Sequence, residues 1–183
     1  MTGENKDGTR TGGDAFVRIQ PGEELPKRPD YGYATINERL DDRLKAIREM
    51  PGDTNEKDDY RGGSYGELKE DGYGWPDYEV HHIPADSTSE LPKGDGPAIV
   101  MDYDDHKKTA SWGMTKEAIE YRQTQKDLIA QGKFIEAVRM DIDDLHEKFG
   151  DKYDGAIKEM LPYADKVAEK VAEKHKEENH VEV

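Results

Sequence analysis

The chain predicts an α+β fold: a short β-hairpin with a helix against it, ββα-metal-like, set within a mainly helical domain. Three observations lead there. Two short runs rich in β-branched and aromatic residues, Tyr78–Ile83 and Ala98–Met101, flank a Pro- and Gly-rich segment of hairpin-loop character. Phe134, Val138, Ile142, Leu145 and Phe149 recur at steps of four, four, three and four, the stripe of an amphipathic helix. Hydrophobic residues are 33% and charged residues 38% of the 183. Typical globular chains carry about 25% charge, so a compact unit of about 100–120 residues with polar ends is expected.

Residues 1–34 are rich in Gly, Pro, Asp, Glu and Thr and read as a flexible acidic arm. Thr35 and Glu38 form a capping box ahead of Ile36, Leu40, Leu44 and Ile47, which predicts an amphipathic helix over Thr35–Met50. Pro51-Gly52 stops it, and a polar linker runs to Asp59. Ser64-Tyr-Gly-Glu67 caps a second, short helix over Leu68, ended by Gly72, Gly74 and Pro76. After strand Tyr78–Ile83 comes the loop Pro84–Gly96, then the returning strand Ala98–Met101. Asp102 and Asp105 stand as cap and third residue of the helix that follows. A helix over Thr115–Gln131 is closed by Gly132, and the stripe helix by Gly150. Tyr153, Ala156, Ile157, Met160 and Leu161 lie on another, which Pro162 is expected to kink or restart. A core domain over 60–165 and a charged helical tail over 166–183, fraying to disorder, complete the reading.

Composition narrows the function classes. The chain has no cysteine, so neither disulfides nor thiolate metal sites arise. No apolar run approaches the roughly 18 residues of a membrane span, and Met1 leads into TGENKDGTR rather than a signal peptide. A soluble protein is expected, cytoplasmic or secreted by a non-classical route, with no membrane partner. The net charge of −15 opposes nucleic-acid binding over long range, because phosphate contacts normally rest on Lys and Arg. A local basic patch or a metal ion would have to compensate.

Three of the six histidines fall between Tyr78 and Gly113. His81 and His82 end the first strand, and adjacent strand residues point in opposite directions, so one imidazole can face a metal and the other a water. Asp102 and His106 are i and i+4 on the expected helix and would project from one face. His81, Asp102 and His106 then make a three-ligand set that leaves positions open on a catalytic ion. A base for water and a cation for phosphate charge are what phosphodiester hydrolysis needs. Lys107, Lys108, Lys93 and Arg122 supply the basic surface nearby.

His81-His82, a hairpin-length gap and Asp102-x-x-x-His106 together resemble the HNH, or His-Me finger, endonuclease superfamily. The longer strings EVHHIPADS, GPAIVMDYDDHKKTASWG and YRQTQKDLIAQGKFIEAVRMDIDDLHEKFGDKYDGAIKEMLPY are similar to a C-terminal domain of secreted bacterial toxins and phage-associated proteins. The similarity covers roughly Tyr60 to Tyr163. The resemblance implies a metal-dependent endonuclease in which His81 is a ligand and His82 the general base, with Asp102 and His106 completing the site. It implies a divalent cofactor (Mg, Mn, Ni or Zn), DNA as substrate with RNA as the alternative, and an immunity protein as partner. The chain departs from the pattern in using aspartate at the middle position, where Asp102, Asp104 and Asp105 compete, and in lacking the CxxC pair that braces many such domains.

Other readings of the same residues stand beside this one. His81 and His82 would serve equally as a strand-end pair, one packed and one solvated. Asp102 is a natural N-cap, and each nearby lysine a solvated charge. Asp86 and Ser87 fit a loop-holding role. Trp112 is expected to anchor the core, with base stacking as the alternative. The string MDIDDLHEKFGDKYD lacks EF-hand spacing and reads as a helix with an acidic outer face. His146, His175 and His180 are expected to face solvent. The rival functions are a non-catalytic binding or adaptor module and a hydrolase acting on other substrates.

Overall fold

The computed structural model describes residues 33–51, 60–74 and 76–180, with side chains from 41 to 51, 60 to 74 and 76 to 177. The expected arm, apart from its last two residues, and nearly all of the linker lie outside the described residues, as does Trp75. Among the described residues the fold is α+β, as the sequence predicts. Six helices, α1 (Tyr33–Glu49), α2 (Tyr65–Glu70), α3 (Tyr103–His106), α4 (Lys116–Ala130), α5 (Phe134–Phe149) and α6 (Asp154–His180), accompany three strands, β1 (Gly62–Ser64), β2 (Tyr78–His82) and β3 (Pro97–Asp102).

The expected hairpin is β2 and β3, antiparallel with Val80 opposite Val100 and His81 opposite Ile99. β1 adds a third strand on the far side of β3, giving the order β1-β3-β2. Its sequence, Gly-Gly-Ser, carries no strand signal; small size is what lets it pass against α6. Alternation along β3 divides the interior. Ile99 and Met101 join the main core with Leu44, Ile47, Phe134, Val138, Ile142, Leu145, Ile157 and Met160. Ala98 and Val100 face the other way, onto Val80, Leu68 and the rings of Tyr65, Tyr73 and Tyr78. The main core includes Leu44 and Ile47, upstream of residue 60, and Val167, beyond 165.

Two of the expected caps are in place, while Thr35, the expected cap of the first helix, lies inside α1, which begins at Tyr33. Ser64 accepts from the Glu67 amide to cap α2, and Thr115 accepts from Ala118 to cap α4. Pro162 neither kinks α6 into two helices nor restarts it: the helix runs unbroken to His180. Pro162 lies exposed, where the carbonyl left without its amide partner can be hydrated. The charged tail, as far as His180, is thus the second half of one helix, tied back by Lys174 to Glu90. α5 is not acidic only on its outside. Asp141 is buried, accepts from Gln125 Nε2 at 2.7 Å and from the Tyr121 hydroxyl at 3.0 Å, and burial pushes its carboxyl up to about 7. His146 is also buried, with Nε2 2.5 Å from Asp154, rather than solvent-facing.

The corner between β3 and α3 is fastened to the turn before α6 by a polar hub. Lys152 Nζ donates to Asp102 at 2.6 Å and to Asp105 at 2.7 Å; Asp105 also accepts from Lys108 and from the Tyr153 hydroxyl. Burial alone would raise the Asp105 carboxyl, but these three donors outweigh it and bring it down to about 2. The folded value lies below the unfolded one, so the stabilisation is full above about pH 4 and fades as pH falls through about 2. Its size is of order 2 kcal/mol. A carboxyl-carbon NMR titration should place the Asp105 midpoint near 2 in the native protein and clearly higher in Lys152→Met. An unmoved midpoint in the variant would mean that Lys152 does not hold this charge.

Candidate functional site

The three clustered histidines meet at the rim of β2, an edge strand of the sheet. They line one open cleft of about 580 Å³, with Glu79, Lys93, Ser111, Trp112, Met114 and Arg122 among its other walls. The strand pleat separates their jobs as the sequence suggests. His81 shares a face with Ile99, toward the main core; His82 shares a face with Ala98, toward α2.

His82 is held on every side. Its ring stacks on Tyr65 with centroids 4.0 Å apart and planes 12° from parallel. Gly96 also comes so close that a Cβ there would lie 2.7 Å from His82 Cδ2. Tyr65 itself is fixed by its amide, which donates to Gly96 O, and by the Ser64 cap. His82 Nε2 is 2.9 Å from the Lys93 carbonyl oxygen. A carbonyl can only accept, so this nitrogen carries the proton and Nδ1 carries the lone pair. Burial lowers the pKa; the Lys93 carbonyl and Asp86, 3.8 Å away, oppose that effect without reversing it. The ring is therefore neutral near pH 7, with a fixed tautomer and a basic nitrogen.

His81 and His106 face each other, ring centroids 5.0 Å apart at 67°. Burial takes His81 well below the usual imidazole range, helped by the neighbouring His106 and His82. Burial lowers His106 as well, against the pull of Glu79. Two neutral imidazoles side by side are a ligand pair in the protonation state that metal binding requires. His106 Nδ1 adds a direct sign, being buried without any hydrogen-bond partner.

Asp102 does not join them. It belongs to the strand, at φ −59° and ψ 137°, so the i, i+4 rule of a helix does not reach across to His106. Register places it opposite Tyr78, on the face away from His81, and its carboxylate pairs with Lys152. It occupies the N-cap position of α3 yet caps nothing. Asp105 is likewise committed to the hub, and Asp104 to Lys107 at 2.7 Å. Among the described residues no group of three or more His, Asp or Glu side chains is placed to hold a metal ion. Of the three expected donors, His81 and His106 lie together and Asp102 stands apart from them.

The expected phosphate contacts also divide. Lys107 pairs with Asp104 over the Tyr103 ring, and Lys108 with Asp105 over Phe149; neither lines the cleft. Arg122 does line it, but its Nη1 donates to the carbonyls of Ser111 and Gly113, so it braces the loop. Lys93, over the Tyr65 ring, is the lysine in the cleft wall. Trp112 is 46% exposed and is no core anchor. Tyr65 and Gly96 were not legible as site residues, because their role depends on how α2 and the loop fold onto β2.

No family model matches the chain, and neither a curated protein nor a solved structure matches it.

Proposed function

We propose that the protein is a metal-dependent endonuclease of the HNH type, hydrolysing phosphodiester bonds in DNA or RNA, in the setting of a bacterial toxin-type effector met by an immunity protein. The observation that carries the reading is the meeting in one cleft of a tautomer-locked neutral imidazole, His82, with a pair of neutral imidazoles, His81 and His106. His82 Nδ1 takes a proton from water as general base. The Nε2 contact to Lys93 keeps the ring from turning and steadies the imidazolium that forms. His81 and His106 would hold a divalent cation, whose charge stabilises the phosphate and the leaving oxygen. Lys93 adds positive charge at the cleft wall.

The test is cleavage of supercoiled plasmid and of structured RNA with Mg²⁺, Mn²⁺, Ni²⁺ or Zn²⁺, against a chelator control. Strand scission should need the metal, and His81→Ala and His106→Ala should each weaken metal binding measured by calorimetry. A folded, metal-supplied protein that cuts neither substrate would sink the reading and favour a docking module, which the charge of −15 already suits.

A further inference from the structure

The loop between α3 and α4 presents an aromatic side chain at the lip of the cleft from an anchored backbone. Trp112 is 46% exposed and Met114 81%, and both line the cleft. Large apolar groups so exposed cost free energy unless something covers them. This loop is no loose turn. Arg122 reaches across to the carbonyls of Ser111 and Gly113 and touches the Met114 sulfur. The Ala110 amide donates to Asp144 at 2.8 Å, and the Trp112 amide to Thr109 O at 3.1 Å. Thr109 in turn donates to the His106 carbonyl. The tryptophan is thus tied by short steps to one of the two facing imidazoles.

Charge says what kind of nucleic-acid contact fits. Of the cations in the cleft wall, Arg122 is spent on loop carbonyls, and the protein as a whole repels phosphate. Counterion release, the usual source of affinity, is weak here. Stacking is the contact that needs no positive field, and it requires a base whose face is free. Resting on the nuclease reading above, we infer that Trp112, flanked by Met114, is a stacking platform for an unpaired base beside the scissile phosphate, so that the substrate is single-stranded or locally unwound nucleic acid. Every base has a π face, so DNA and RNA strands share this chemistry.

The experiment is fluorescence anisotropy with labelled single-stranded DNA, the matching RNA and the annealed duplex, in chelator so that nothing is cut. Wild type, Trp112→Ala and Trp112→Phe are compared at low and physiological salt. Single strands should bind at least about tenfold tighter than duplex, and Trp112→Ala should lose about tenfold or more. Trp112→Phe should keep most of the affinity, and added salt should not weaken it, because salt screens the repulsion between the acidic protein and phosphate. Equal or tighter duplex binding, or an alanine variant that binds like wild type, overturns the platform; metal-dependent cleavage by that same protein would leave the nuclease reading intact. Binding that depends on Trp112 without cleavage under any metal would keep the platform and remove the nuclease. Binding of neither strand nor duplex overturns the platform and leaves the lip as a protein-docking face.

Discussion

Gly62→Ala is expected to destabilise the protein by about 3 kcal/mol or more, at or above the upper end of the usual cost of overpacking. β1 runs so close to α6 that a Cβ on Gly62 would sit 1.9 Å from the Ala156 carbonyl oxygen and 2.8 Å from the Met160 amide nitrogen. Both obstacles are helix backbone, so no rotamer change relieves them. α6 would have to move off β1 as a body, and with it Ala156, Ile157 and Met160, all in the main core. The Gly62 amide would also leave Glu159, to which it donates at 3.0 Å. Gly63 supplies the control: a Cβ there meets only the Glu67 carboxylate at 3.8 Å, and Gly63→Ala should stay within about 0.5 kcal/mol. Urea denaturation reads both. Equal stabilities for the two variants would show that β1 and α6 do not pack as described.

The same closeness explains why β1 was invisible in the sequence. Strand propensity reflects side chains on a pleated, half-buried surface, and this strand has almost none. The β2–β3 hairpin was legible because Val80, Ile83, Ile99, Val100 and Met101 are all buried, and α5 because its stripe is its core face. At the site, what depended on local alternation came through: His81 and His82 do take opposite faces of β2. What depended on tertiary partners did not. Asp102 reads as one helical turn from His106, but the chain is still extended there and Lys152, fifty residues on, claims the carboxylate. Arg122 reads as a free cation, yet two loop carbonyls hold it. His146 looks solvated among acidic neighbours, yet α6 brings Asp154 onto it. Each of these three concerns a charged or polar group whose partner lies on a different element, eight to fifty residues away, and periodicity within one element carries no information about that.

His82→Ala is expected to cut phosphodiester cleavage by about 10²–10⁴, the range a positioned general base supplies, while leaving metal binding by His81 and His106 in place. The second half of that expectation matters, since His81 and His82 point to opposite faces of β2 and the loss of one imidazole leaves the other in place. A base must be unprotonated to act, so the rate should be flat near neutrality and fall tenfold per unit below the His82 pKa. That pKa is lowered by burial, so the acid limb should lie below the free-imidazole value of about 6.5. Asp86 gives an independent handle, because its carboxylate favours the imidazolium from 3.8 Å. Asp86→Asn removes that support, lowers the pKa further and should move the acid limb to lower pH with the plateau rate little changed. Protonation of His81 and His106 would also cost activity in acid, through lost metal, but Asp86→Asn should not shift a calorimetric metal-binding profile. A limb that moves in cleavage and not in metal binding therefore belongs to His82. If His82→Ala retained more than a tenth of wild-type activity, or Asp86→Asn left the profile where it was, another group would be the base and the Lys93 contact would be purely structural.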